Sequence, residues 1–140
     1  MPGTTQEADI MIALVVASDP RQVGITRCLV RAALEYRGLG HYVSEAEIIA
    51  SELVTNAIQH ASSADPGTDK IGVTLTRAWD AEGIGIVVTD SSPIPPVKRE
   101  TTAASDHGRG LQIVEALSAH WGWHHEQRGK AVYAILAREG

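Results

Sequence analysis

Glu52, Asn56 and His60 follow one another at intervals of four in the run Glu52-Leu53-Val54-Thr55-Asn56-Ala57-Ile58-Gln59-His60. On a helix with about 3.6 residues per turn they project from one face, so a carboxylate, an amide and an imidazole stand a turn apart. A carboxylate can take a proton, and the amide oxygen beside it is a neutral ligand for a hard cation. A solvated helix face carries the same spacing. Two details set this stretch apart: Asn is a poor helix-interior residue because its amide competes for backbone hydrogen bonds, and Ile49 and Leu53 put it at the rim of a core.

Two further places carry chemistry. Asp90 closes an apolar run and precedes Ser91-Ser92-Pro93. It reads either as a turn-initiating Asp or as an acceptor suited to the exocyclic amine of adenine and unsuited to the carbonyl of guanine. Gly108-Arg109-Gly110 stands where a helix begins. Its glycines let backbone N–H groups approach an anion, and the helix N-terminus adds partial positive charge; a loop hinge has the same composition.

These residues need elements to hold them. Residues 10–17 (IMIALVVA) form a short apolar run that reads as a strand covered on both faces, after a disordered tail over 1–9. Asp19 as N-cap, Pro20 at the first helical position and Gln22 at the third predict a helix to about Arg37. Its buried stripe is Val23, Thr26, Cys28, Leu29, Val30, Ala33 and Leu34, and Gly38 and Gly40 end it. Ser44-Glu45-Ala46-Glu47 is a second capping box, which starts the helix of Glu52 and carries it to Ala61. Ala46, Ala50, Leu53, Val54, Ala57 and Ala61 fill its core-facing arc, with Glu45, Ile49, Glu52, Asn56 and His60 on the arc beside it.

After a polar loop over 62–70, residues 71–79 alternate with Ile71, Val73 and Leu75 inward, and 84–89 give a strand that ends at Asp90. A long loop over 91–107 has no period. Leu111, Val114, Leu117 and Ser118 then recur at helical spacing, and 121–123 and 131–137 read as strands joined around Gly129. Strand, helix, helix, strand, strand, loop, helix, strand, strand describes an α+β domain of two layers, with a mixed, mostly antiparallel sheet and helices on one face.

The totals narrow the function. A chain of 140 residues with 44% hydrophobic and 21% charged residues fits one globular domain over 10–140. Its net charge of -5 offers no broad basic surface, so no direct nucleic-acid partner is expected. The single Cys28 closes no internal disulfide, and no apolar run has the length of a membrane span or the flank of a signal peptide; the expectation is a cytoplasmic protein with no membrane partner. His120, His124 and His125 lack the company of a zinc site, and Ser91 and Ser92 lack the glycine-flanked elbow of a serine hydrolase.

Taken together, Glu52-Leu53-Val54-Thr55-Asn56-Ala57 with His60, Asp90 at a strand end, and Gly108-Arg109-Gly110-Leu111 resemble the GHKL (histidine kinase-like) ATPases. The small size, with Trp121-Gly122-Trp123 and Gly129-Lys130-Ala131-Val132-Tyr133 near the end, is most similar to the anti-sigma-factor serine kinase branch. The resemblance covers residues 10–137. It implies a Bergerat-type ATP-binding fold, with Glu52 as general base, Asn56 as Mg²⁺ ligand, His60 beside it, and Asp90 on adenine. Gly108, Arg109, Gly110 and Leu111 would border the phosphates under a lid from the preceding loop, where Lys98 or Arg99 could reach them or stand as solvated charges. It also implies ATP and Mg²⁺ as cofactors, a sigma factor and an antagonist protein as partners, and a homodimer. One departure stands out: family members often carry glycines after this Asp, and Ser91-Ser92-Pro93-Ile94 makes a stiffer wall. A non-catalytic module that binds a partner, with or without nucleotide, is the alternative.

Overall fold

The computed structural model describes residues 9–60, 69–77, 83–96 and 110–137. Along the chain run β1 (Asp9–Ala17), α1 (Gln22–Tyr36), a 3-10 turn (Gly40–Tyr42), α2 (Val43–Gln59), β2 (Lys70–Arg77), β3 (Ile84–Asp90), α3 (Gly110–Leu117), β4 (His120–Glu126) and β5 (Gly129–Leu136). This is the element order that periodicity predicts. The strands lie in the order β1-β2-β3-β5-β4, and every described pairing is antiparallel. The helices pack on one face, giving the two-layer α+β sandwich expected from the sequence.

Alternation along the strands builds the core. Ile71, Val73 and Leu75 of β2, Ile84, Ile86 and Val88 of β3, and Val132, Ala134 and Leu136 of β5 point to the helical layer and are buried. Register keeps them in rows, with Val73 opposite Val88 and Val88 opposite Val132. Against them α2 lays Ala46, Ile49, Ala50, Leu53, Val54 and Ala57, all buried. Burial of a Leu- or Ile-sized side chain is worth roughly 1.5–3 kcal/mol over exposure, so this face fixes the rotation of α2 about its axis. Rotation decides where Glu52 and Asn56 point. Ile49, assigned by sequence to the polar arc, belongs to the core instead.

Both helix starts differ from expectation. Asp19 accepts the backbone N–H of Arg21 at 2.9 Å and pairs with its guanidinium, while α1 begins only at Gln22. The capping box at Ser44 does not form: the 3-10 turn runs directly into α2, which starts at Val43 with no side-chain cap. Glu47, freed from that role, pairs with Arg31 of α1 at 2.7 Å. Gly38 does end α1; with φ of 73° it lets Leu39 N–H return to the carbonyl of Leu34 at 2.8 Å.

Two burial patterns are also corrected. The inward stripe of α1 is Thr26, Val30 and Leu34, fully buried, with Val23 and Ala33 partly buried against the core, while Cys28 and Leu29 are exposed. The helices cover one face of the sheet only, so β1 too has a single covered face, and Val15 on the other is 68% exposed. The apolar run that suggests two covered faces thus belongs to a strand covered on one, which is also the edge of the sheet. β1 starts at Asp9, which belongs to the strand and pairs with Arg37 at 2.9 Å. The expected tail over 1–8, the loop over 61–68, the turn over 78–82, and Lys98, Arg99, Gly108 and Arg109 lie outside the described residues.

Candidate functional site

On α2, Glu52 and Asn56 are half-buried and on successive turns, at the border between the buried face and solvent. His60 takes the C-cap position, its N–H donating to the carbonyl of Asn56 at 3.1 Å. The polar stripe inferred from periodicity is therefore one continuous rim. Neither the Glu52 carboxylate nor the Asn56 amide has a hydrogen-bond or ion-pair partner among the described residues. Burial alone pushes the Glu52 carboxyl above the ordinary glutamate value.

Gly110, the first residue of α3, lies directly against this carboxylate. A Cβ at that position would stand 2.8 Å from Glu52 Oε2, so glycine lets the start of α3 approach without displacing the carboxylate. Next to it, Leu111 is buried and seats α3 in the core together with Val114. The structure thus brings together Glu52, Asn56 and the N-terminus of α3, two of the three places singled out by sequence. The partial positive charge of a helix start lies beside the Glu52 carboxylate, with Asn56 one helical turn further along α2.

Asp90 is held differently. Alternation puts it inward on β3, one step beyond Val88, and Lys130 stands opposite it on β5. Lys130 is completely buried, with Nζ 3.1 Å from Oδ1 and 3.1 Å from Oδ2 of Asp90. Ser92 N–H donates to Oδ1 at 2.8 Å, and Ser92 Oγ accepts the N–H of Ile94 at 3.2 Å. The stretch without glycines is thus two successive side-chain-closed turns, with Ser92 buried. Asp90 is both a turn-initiating residue and a buried ion-pair partner. Sequence reasoning missed Lys130 and Ser92. The signal for Lys130 was present: it shares the alternation of Val132, Ala134 and Leu136, which puts a lysine on the inward face.

An open groove of about 400 Å³ flanks this turn, lined by Ser91, Pro93 and the residues joining β4 to β5; Glu52 and Asn56 do not line it. Among the described residues no group of three or more His, Cys, Asp or Glu side chains is placed to hold a metal ion. The donor set at α2 is instead one neutral amide oxygen beside a carboxylate. That suits Mg²⁺, which keeps most of its waters and shares substrate phosphates, so these residues fit Mg·ATP.

The fold is similar to the RsbU and RsbW domains of a Mycobacterium tuberculosis protein, with TM-score 0.65, 20% identity, and coverage of 90% of this chain and 32% of that one. It is also similar to the histidine kinase domain of a blue-light activated histidine kinase from Erythrobacter litoralis, with TM-score 0.53, 18% identity, and coverage of 96% and 65%. The chain therefore spans about a third and about two thirds of those chains, and at these identities the likeness speaks for the fold. No curated protein sequence matches. No helix among the described residues is long and apolar enough to cross a membrane. The sequence model of the histidine kinase-like ATPase domain matches residues 16–136, a span that contains Glu52, Asn56, Asp90 and Gly110, and the chain belongs to that family.

Proposed function

We propose that this domain binds Mg·ATP and transfers the γ-phosphate to a serine or threonine of an antagonist protein, working in the cytoplasm as an anti-sigma-factor type of serine kinase that also sequesters a sigma factor. The observation that carries this reading is Glu52: a half-buried carboxylate with its proton affinity raised, against the start of α3 and one helical turn from an amide that has no partner among the described residues. Family membership and the likeness to an RsbW domain support it.

In this reading Glu52 accepts the proton of the attacking hydroxyl. A carboxylate whose pKa is raised toward the working pH is a stronger base, and such groups contribute about 10²–10⁴-fold to rate. Asn56 Oδ1 holds the cation, which neutralises phosphate charge when bound. Gly110, with Gly108 and Arg109 before it, borders the phosphates, and Asp90 receives the exocyclic amine of adenine.

Thermal melting with and without Mg·ATP tests binding. At 100 times the dissociation constant a ligand adds about 2.7 kcal/mol, a rise of about 5–10 °C for a domain of this size. No shift at millimolar Mg·ATP refutes the nucleotide reading. A second reading, a partner-binding module with weak or no nucleotide affinity, is favoured by one observation: the Asp90 carboxylate is already engaged by Lys130 and Ser92. Transfer of labelled phosphate to candidate partners separates the two.

A further inference from the structure

Gly129 opens β5 at φ of 146°, and a Cβ there would run into the carbonyl oxygen of Asp90. The glycine lets the two backbones touch, and the next residue, Lys130, then faces Asp90 in register. Its ammonium is equidistant from the two carboxylate oxygens and makes its third contact with the carbonyl of Ser92 at 3.5 Å. All three of its donors are thus spoken for inside the fold. Ser92 N–H takes a further position on Oδ1. An ionised carboxylate has about four acceptor positions, so these three bonds leave one, on Oδ2.

That remainder has a consequence for recognition. Two parallel N–H donors need both oxygens along one edge of the carboxylate, and the Lys130 ammonium stands astride the pair. We propose that Lys130 sets the base specificity of the site: by occupying both oxygens it leaves Asp90 a single acceptor, enough for the one exocyclic amine of adenine and too few for the paired N1–H and N2–H donors of guanine. The inference rests on the reading that Asp90 receives the base. Lys130 is a positioning residue, since it acts through Asp90.

The test is displacement of a labelled ATP analogue by Mg²⁺ complexes of ATP, GTP and ITP. GTP and ITP differ by the 2-amino group, which is the second donor of the pair. In the wild-type protein ATP is expected to win over both, with GTP and ITP equal within about twofold, because no second acceptor awaits the extra amine. Lys130→Met, of similar length and uncharged, should raise GTP over ITP by about tenfold as the second oxygen becomes available. Lys130→Leu, shorter and likewise without a donor, gives a second variant should the methionine protein fail to fold, as read by circular dichroism on the same samples. GTP binding the wild-type protein tenfold better than ITP overturns the proposal without any variant, and so does an unchanged GTP-to-ITP ratio in a folded variant. Failure of the wild-type protein to bind ATP overturns the nucleotide reading itself.

Discussion

Glu52 and Asp90 are carboxylates on the two layers of one sandwich, and their surroundings are opposites. Glu52, on the helix, is half-buried, has no partner among the described residues, and holds its proton more tightly than usual. Asp90, on the sheet, has a side chain only 5% exposed and is held by a buried ammonium and a backbone N–H. A group that must take up and release a proton gains from being left unpaired, whereas a group that must present one fixed acceptor gains from being locked. The fold provides each case by its own means. A helix rim leaves the end of a side chain free, and antiparallel register sets two side chains face to face.

The contrast is most sharply broken at Lys130. Removing one member of a buried ion pair leaves the other charge uncompensated, so Lys130→Met should cost about 3–5 kcal/mol in chemical denaturation. A cost below about 1 kcal/mol would mean that Asp90 is not locked at all. Gly129→Ala attacks the same lock through the backbone, since the new methyl collides with main-chain atoms of Asp90 and Ser91 in a conformation that L-residues rarely adopt. A loss of about 2–4 kcal/mol is expected in the same assay. The two variants together separate the charge from the close approach that makes it possible.

Gly110→Ala tests the other side. The nearest atom to the added methyl is the end of a flexible side chain, Glu52 Oε2, so stability should change by less than about 1 kcal/mol. Phosphate turnover should nevertheless fall by about ten- to a hundredfold, because the carboxylate has to move by several tenths of an ångström. Loss of stability with turnover intact would contradict the assignment of Glu52. Smallest is the pH effect. Burial raises the folded-state pKa of Glu52, so its contribution to stability is present below the ordinary glutamate range and is lost as pH rises through the raised value. Glu52→Gln should therefore melt about 1–3 °C higher than the wild-type protein near neutral pH, the gap closing on acidification. Parallel curves at all pH values would show that Glu52 is no more buried in effect than a surface glutamate.

Legibility in the sequence follows the range of the interaction. The order of elements and the rim position of Glu52 and Asn56 come from local periodicity, since the buried face of α2 alone sets its rotation. The Asp90–Lys130 pair joins residues far apart in the chain and depends on strand register, which no local window contains. The same limit explains Ser44 and Glu47: the motif is locally complete, yet the preceding 3-10 turn and Arg31 of α1 redirect both residues. β1 reads as covered on both faces for a related reason, because an apolar run does not say whether a second layer will lie against its other side.

The central claim is that Glu52 accepts the proton while the remaining residues bind the nucleotide. Turnover of the γ-phosphate of Mg·ATP by Glu52→Gln, at nucleotide concentrations that saturate the variant in a titration, tests it most directly. Nucleotide affinity within about threefold of the wild-type protein and turnover lower by about 10²–10⁴-fold are expected. Turnover equal to wild type at saturation would contradict it.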